Sequence, residues 1–340
     1  MTIDHEGKKF VGLTIDYNRP ERRITISIPD YARKILTRYA HRHIKPCDSP
    51  IIYSPPLYGA KSQLVEDPDT SDLLNDAEAH EVMEIIGCVL WYSRMVDSPT
   101  LTAVSILATE QSERRRSILP KIDRLLGHIM KFPDNKVTFH ASDMQYIVFG
   151  DISHNSVSKG RSRAGGYGYY GWKNDPQRIN GGVFIMSSVL DVVTSSAGEG
   201  EYGAAYMVAR HAVWIRAIAR ALGHPQPPTV IWCDNTCAVG LCNDTLKTAR
   251  TKSIDLRFHW LRDRVRQKQF SVEWVKSDDN IADFFTKALP VHQHIRRMDS
   301  LVEHQHNSST SANRIKRAST WRSAHHTTAH QQRNTKLARQ

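Results

Sequence analysis

TVIWCD (229–234) is an apolar, β-branched run of strand length that ends on an acid. It is too short for a helix and has no charged residue before its last position. It therefore reads as a buried strand with Asp234 at its end. Outward from it, residues 197–222 carry a long helical pattern, and 235–244 a short one. IDLRFHWLRDRVRQ (254–267) is helical, FSVEWV (270–275) is a strand, and DNIADFFTKAL (279–289) reads as a last helix. Upstream of the long helix, Val137–Phe139, Gln145–Phe149, GYGYYGW (166–172) and GGVFIMSSV (181–189) are strand-like. A run of strands followed by helix–strand alternation predicts an α/β fold, a mixed sheet with helices on its faces.

The first part of the chain differs. FVGLTIDYNRPERRITISI (10–28) is two β-patterned runs around the turn NRPER, a hairpin. A helix follows Pro29-Asp30, with Arg33, Lys34 and Arg38 on one side. Residues 45–76, rich in Pro, Ser and Asp, read as a loop. Helical patterns cover about 78–112 and about 116–131. The longest apolar stretch, IIGCVLWY (85–92), is about eight residues where a membrane span needs about twenty, so no membrane partner is expected. Nor does the N-terminus carry the apolar core of a signal peptide. Five scattered cysteines make no disulfide framework and suggest a reducing intracellular compartment, with cytoplasm and nucleus both open.

The net charge is +11, which suggests a polyanionic partner such as nucleic acid. Residues 304–340 hold seven Lys or Arg and no acid, while the preceding 303 residues hold 39 basic and 35 acidic ones. Most of the excess thus sits in a tail (300–340) too polar to fold alone.

Four acids occupy places where an α/β fold gathers ligands: Asp151 at the end of a strand, Glu201 in the first turns of the long helix, Asp234, and Asp283 in the last helix. If they converge, divalent cations must balance them. Hard oxygen donors without Cys/His pairs favour Mg²⁺ (or Mn²⁺), and two ions suit phosphodiester hydrolysis. A single Asp at a strand end is more often a cap or a solvated loop residue, so the weight rests on the words around them.

SSAGEGEYGAAYMVA (195–209), VIWCDNTCAVGL (230–241), KSIDLRFHWLRDRV (252–265) and NIADFFTKAL (280–289) occur in that order. Together they resemble the ribonuclease H domain of copia-type LTR retrotransposon polyproteins. Upstream, FVGLTIDYNRPERRITISIPDYARKILTRY and EVMEIIGCVLWYSRMVDSPTLTAVSILA resemble the reverse transcriptase thumb and connection of the same polyproteins, so the resemblance spans about residues 9–290. It implies a mainly helical thumb/connection fragment (1–135), a ribonuclease H-like mixed sheet with flanking helices (137–290) and a disordered basic tail (300–340). Carried over by position, it makes Asp151, Glu201, Asp234 and Asp283 the catalytic, metal-binding acids. The implied reaction is two-metal hydrolysis of the RNA strand of an RNA–DNA hybrid. Ser153 and Asn235, beside two of these acids, become candidate contacts to the substrate backbone.

The Y-V-D-D word of the family's palm is not found, so polymerase activity is not expected, and the chain reads as a truncated piece whose palm portion is a candidate partner. Gly200 and Gly203 depart from the family's glutamate word, each costing the helix about 1 kcal/mol relative to Ala. Arg33 and Lys34, and separately Arg257, His259 and Arg262, fit either phosphate contacts or solvated basic faces. His259 beside Trp260 reads as partly buried packing, and Cys233 as core. The rival function is a catalytically inactive, nucleic-acid-binding remnant of the same polyprotein.

Overall fold

A computed structural model describes residues 4–54, 69–157, 160–194, 196–244 and 256–304; for residues 256–258 it describes the backbone alone. The fold is mixed α/β, with a largely helical N-terminal region and two sheets.

The first sheet is a meander. β1 (Lys9–Phe10), β2 (Leu13–Asn18), β3 (Arg23–Ser27) and β4 (Val137–His140) pair antiparallel in that order. β2 and β3 are the expected hairpin. Its turn is closed by Asn18, whose side-chain oxygen accepts from the Glu21 amide at 3.0 Å. β4 was read with the strands of the second half. Its partner is instead β3, through the register Arg23↔His140 to Ile26↔Val137.

Four helices stand beside this sheet: α1 (Tyr31–Arg38), α2 (Asp76–Met95), α3 (Leu101–Glu110) and α4 (Ile118–Lys131). α2 starts where Asn75 and Glu78 cap each other's backbone amides, at 2.9 and 3.0 Å. Its Val82, Ile85, Ile86 and Val89 meet Ile118, Ile122, Leu125, Leu126 and Ile129 of α4 in one apolar core. Each set recurs at three- and four-residue spacing, which puts it on one helix face.

The second sheet has the order β7-β6-β5-β8-β9. β5 (Gln145–Val157), β6 (Arg161–Gly171) and β7 (Gly182–Val189) are antiparallel, whereas β8 (Thr229–Cys233) and β9 (Phe270–Trp274) run parallel to β5. α5 (Ala197–Ala221), α6 (Thr236–Cys242) and α7 (Leu256–Arg266) follow as expected, and α8 (Val291–Leu301) is an element that the sequence reading did not anticipate.

α5 lays a small-residue face, Ala204, Ala205, Val208, Ala209 and Ala212, on one side of this sheet. The other side, with Phe149, Tyr167, Tyr169 and Trp232, packs on Ile281, Phe284 and Phe285, and also on Leu101, Phe132 and Val137 from the N-terminal half. The halves therefore share a core. Hydrogen bonds cross the same seam: the Thr102 hydroxyl donates to the Phe284 carbonyl at 2.9 Å, and the Ser105 hydroxyl to that of Ser187 at 2.9 Å.

Two expectations are corrected. Residues 279–289 are not a helix. They form short 3₁₀ turns, Ser277–Asp279 and Ile281–Phe285, because Asn280 between them uses its side-chain oxygen to cap the Ala282 amide at 3.1 Å. The strand expected to stop at Phe149 continues to Val157, so Asp151 lies within β5 rather than at its end. At the C-terminal side, Leu301 and Val302 are buried and Glu303 pairs with Lys136. Residues 305–340, the rest of the segment read as a tail, lie outside the described residues. No described helix is long and apolar enough to cross a membrane.

Candidate active site

The parallel pairing of β5 with β8 sets the site. Phe149 stands opposite Trp232. Two residues further along β5, Asp151 keeps to the face of Phe149, and Asp234 follows Cys233, the last residue of β8. Glu201 arrives from α5. Its carboxylate accepts from the Cys233 thiol at 3.8 Å, and the ligand atoms of Glu201, Cys233 and Asp234 lie within 4.8 Å of one another.

Asp283 comes from the Ile281–Phe285 turn. That turn lies against β6 because Gly165, the partner of Asp151 in the ladder, has no side chain: a Cβ there would stand 2.6 Å from the Ala282 carbonyl oxygen. On the helix side, Gly200 does the same. A Cβ on it would stand 3.0 Å from Ile152 Cδ1, so the residue that weakens the helix also lets it approach β5 and carry Glu201 in.

Asp151 and Glu201 are almost wholly buried. Burial, then the Asp283 charge, pushes Asp151 up to about 8, against the Thr286 hydrogen bond and with Asp234 adding to the rise. Burial, then Asp151 and Asp234, pushes Glu201 up to about 10. Asp151 and Glu201 therefore both feel the charges around them, and without a cation both are held toward the protonated form. The donor set fits a hard divalent cation. Burial also drives the Cys233 thiol far above its ordinary value, so it stays a neutral donor to Glu201.

Three residues that the sequence reading did not single out complete the arrangement. The Thr286 hydroxyl donates to Asp151 Oδ2 at 2.7 Å. Asn280 Nδ2 donates to Gly150 O at 3.2 Å and to Asp151 Oδ1 at 3.4 Å. Lys287 pairs with Asp283 one turn earlier. Burial works against its charge, but Asp283, Asp151 and Asp234 more than offset this and hold it protonated. All three residues belong to NIADFFTKAL, the word that signalled Asp283. A hydroxyl, an amide and a cation next to one acid were the available signal.

The remaining candidates divide. Ser153 is half-buried on β5, two residues past Asp151. Asn235 follows Asp234 directly and caps α6, its side-chain oxygen accepting from the Ala238 amide at 3.1 Å. Arg33 and Lys34 lie on α1, which packs in the N-terminal core. Lys34 is exposed, and Arg33 is engaged by Asp30 at 2.8 Å and Asp134 at 3.0 Å. The side chain of Arg257 lies outside the described residues. His259 is exposed rather than packed; Trp260 does the packing, against Tyr206 and Phe270. Arg262 pairs with Asp244.

No protein-family model matches the chain. It is similar to the retrovirus-related Pol polyprotein from transposon TNT 1-94 of Nicotiana tabacum, with 23% identity over 285 residues, covering 83% of this chain and 20% of that protein. The corresponding polyproteins from transposons RE2 and RE1 of Arabidopsis thaliana are each 25% identical over 296 residues, covering 84% of this chain and 18% of theirs. The chain thus spans about a fifth of the length of these curated relatives. Among solved structures, a ribonuclease H1 isolated from compost by a metagenomic approach aligns with 42% of this chain and 93% of its own, at 12% identity and a TM-score of 0.32. The ribonuclease H1 of Halobacterium salinarum aligns with 42% and 94%, at 15% identity and a TM-score of 0.28. The homologues of this chain are retrovirus-related Pol polyproteins from copia-type transposons.

Proposed function

We propose that this chain hydrolyses the RNA strand of RNA–DNA hybrids, using Mg²⁺ or Mn²⁺ held by Asp151, Glu201, Asp234 and Asp283. The observation that carries the reading is a pair of buried acids, Asp151 and Glu201, whose proton affinity is raised by burial and by the charges of Asp283 and Asp234 beside them. A carboxylate group so arranged favours binding of divalent cations. Two ions, when bound, would supply an activated water and a counter-charge for the leaving 3′-oxygen. The chain's own residues do the rest. Thr286 and Asn280 fix the rotamer of Asp151, and Lys287 fixes that of Asp283. Ser153 and Asn235 stand beside two of the acids to meet the sugar–phosphate backbone, and the 2′-hydroxyl would distinguish RNA from DNA. Arg33, Lys34 and Arg257 would hold flanking phosphates, Arg33 by exchanging its two carboxylates. We further propose that residues 1–135 act as a thumb/connection and 137–290 as the nuclease part, working beside a palm segment.

One observation favours the rival, a nucleic-acid-binding remnant without hydrolysis. The ligand atoms that converge among the described residues are those of Glu201, Cys233 and Asp234, while Asp283 is already paired with Lys287. Cleavage of an end-labelled RNA–DNA hybrid by purified protein in Mg²⁺ or Mn²⁺, beside Asp234→Asn, separates the two. Cuts in the RNA strand that vanish in the variant support the nuclease. A folded protein that binds the hybrid and leaves it whole supports the remnant.

A further inference from the structure

The turn of the β2–β3 hairpin and the adjoining ends of β6 and β7 enclose a cleft of about 510 Å³, away from the four acids. Tyr170 at its wall and Gly165 opposite Asp151 are five residues apart on β6, roughly 17 Å along a strand. Three features of the cleft stand out. Arg19, Arg22 and Arg23 line it, and no Asp or Glu does. Arg23 has Glu21 beside it at 2.7 Å, but Arg19 and Arg22 are exposed and bound by no acid among the described residues. The rest of the lining is largely aromatic and apolar: Tyr17, Phe139 and Tyr170, with Ile24 and Val183. Tyr17 is 52% exposed, Val183 41% and Ile24 37%, so an apolar patch faces solvent among the guanidinium groups.

The walls are fixed relative to each other. Asn180, buried, accepts from the His140 amide at 2.8 Å and donates to the carbonyls of His140 and Tyr170 at 2.9 and 2.8 Å, joining the first sheet to the second. Two rim residues that are not glycine, Arg22 at φ 51° and Met144 at φ 55°, hold left-handed backbone. The Arg22 carbonyl is pinned by the Ala141 amide at 2.9 Å. Strain of this kind persists only where surrounding structure enforces it.

We propose that this cleft seats unpaired nucleotides of a nucleic-acid strand, with bases against Tyr17, Phe139 and Tyr170 and phosphates against Arg19, Arg22 and Arg23. Aromatic faces among guanidinium groups are what single strands use, since every base has a face to stack and every nucleotide a charge. An acyl chain would leave the aromatic faces without a role. An acidic peptide would leave the apolar wall without one. The site is independent of hydrolysis and goes beyond the nuclease reading.

The test is fluorescence anisotropy of labelled twelve-nucleotide single strands with the full chain, in EDTA so that nothing is cleaved. Arg19→Gln with Arg22→Gln is expected to weaken binding by about tenfold or more and to flatten the slope of log K against log salt by about 1.4, two phosphates at 0.7 each. Tyr17→Ala is expected to weaken binding at least fivefold with the slope unchanged. Unchanged affinity and slope in the arginine pair overturn the proposal. So does a loss confined to the arginine pair with Tyr17→Ala silent, which is phosphate contact without base seating. A mononucleotide or an acidic peptide binding the cleft as tightly as the strand also overturns it. Should a variant not fold, a photo-crosslinking 5-iodouracil strand on the wild type is expected to label peptides containing Tyr17, Phe139 or Tyr170; labelling elsewhere alone counts against the site.

Discussion

Two carboxyl groups are wholly or almost wholly buried in this protein and have opposite surroundings. Asp97, between α2 and α3, is fully buried and meets only neutral donors: Asn135 Nδ2 at 2.7 Å and the Thr100 hydroxyl at 3.2 Å, itself 2.6 Å from the Ser93 hydroxyl. Burial alone pushes it up to about 7, against both hydrogen bonds. Asp151 is nearly as buried and also has two donors, Thr286 and Asn280, but Asp283 and Asp234 add to its rise. Burial is therefore not the mark of a functional acid. Two buried carboxyls with similar donors differ in whether their remaining neighbours are neutral or negative, and only the second arrangement calls for a cation.

If the contrast is right, removing charge has opposite consequences in the two places. The largest effect is expected for Asp234→Asn: hybrid cleavage falls by about a thousandfold or more, since a lost metal ligand removes several kcal/mol of charge stabilisation. Its melting temperature in chelator should not drop, because a repelling charge has gone. A variant that melts well below the wild type would make Asp234 a structural acid like Asp97.

Asp97→Asn is expected to act through stability and pH. The folded carboxyl titrates near 7 and the unfolded one near 3.8, so the folded state holds the extra proton between those values. Stability therefore falls as pH rises from about 4 to about 7, and the cost is complete above 7. The variant should be more stable than the wild type at pH 8, by up to about 4 kcal/mol at 1.36 kcal/mol per pH unit. The gain should vanish at pH 4. Denaturant midpoints at the two pH values check it, and a gain that is the same at both would show that Asp97 does not titrate on folding.

Asn135→Ala probes the same knot from the donor side. It leaves one oxygen of Asp97 unpaired and should cost about 2–3 kcal/mol, with cleavage per folded molecule unchanged. Loss of cleavage at full stability would couple this knot to the site and undo the contrast.

How much of this was readable before folding follows from range. TVIWCD and the α5 pattern were legible because a strand buried on both faces and a long helix are written locally, and the acids because they sit inside distinctive words. β4 was legible as a strand but not as the partner of β3, since the two are more than a hundred residues apart and nothing local names a partner. Asn280, read as part of a helix, breaks one by capping Ala282. Gly200 was readable as a helix weakener; that Ile152 needs its missing side chain was not. Cys233 read correctly as core, but its contact with Glu201 depends on how closely α5 approaches.

Thr286 gives the smallest and sharpest test, because its hydroxyl is the donor that Asp151 shares in kind with Asp97. Thr286→Val keeps the β-branched shape and removes the 2.7 Å hydrogen bond to Asp151 Oδ2. The same hydroxyl also reaches the Asp283 carbonyl at 3.0 Å, so both acids lose an anchor. If Asp151 is a cation ligand oriented by this hydroxyl, the variant should lose tenfold to a hundredfold in Mn²⁺ affinity, the range for a partner that orients a ligand. Titration calorimetry with Mn²⁺ alone, without nucleic acid, reads this directly. If the hydroxyl instead serves as Thr100 serves Asp97, Mn²⁺ affinity stays put and the melting temperature in chelator falls. The two outcomes assign Asp151 to one side of the comparison or the other.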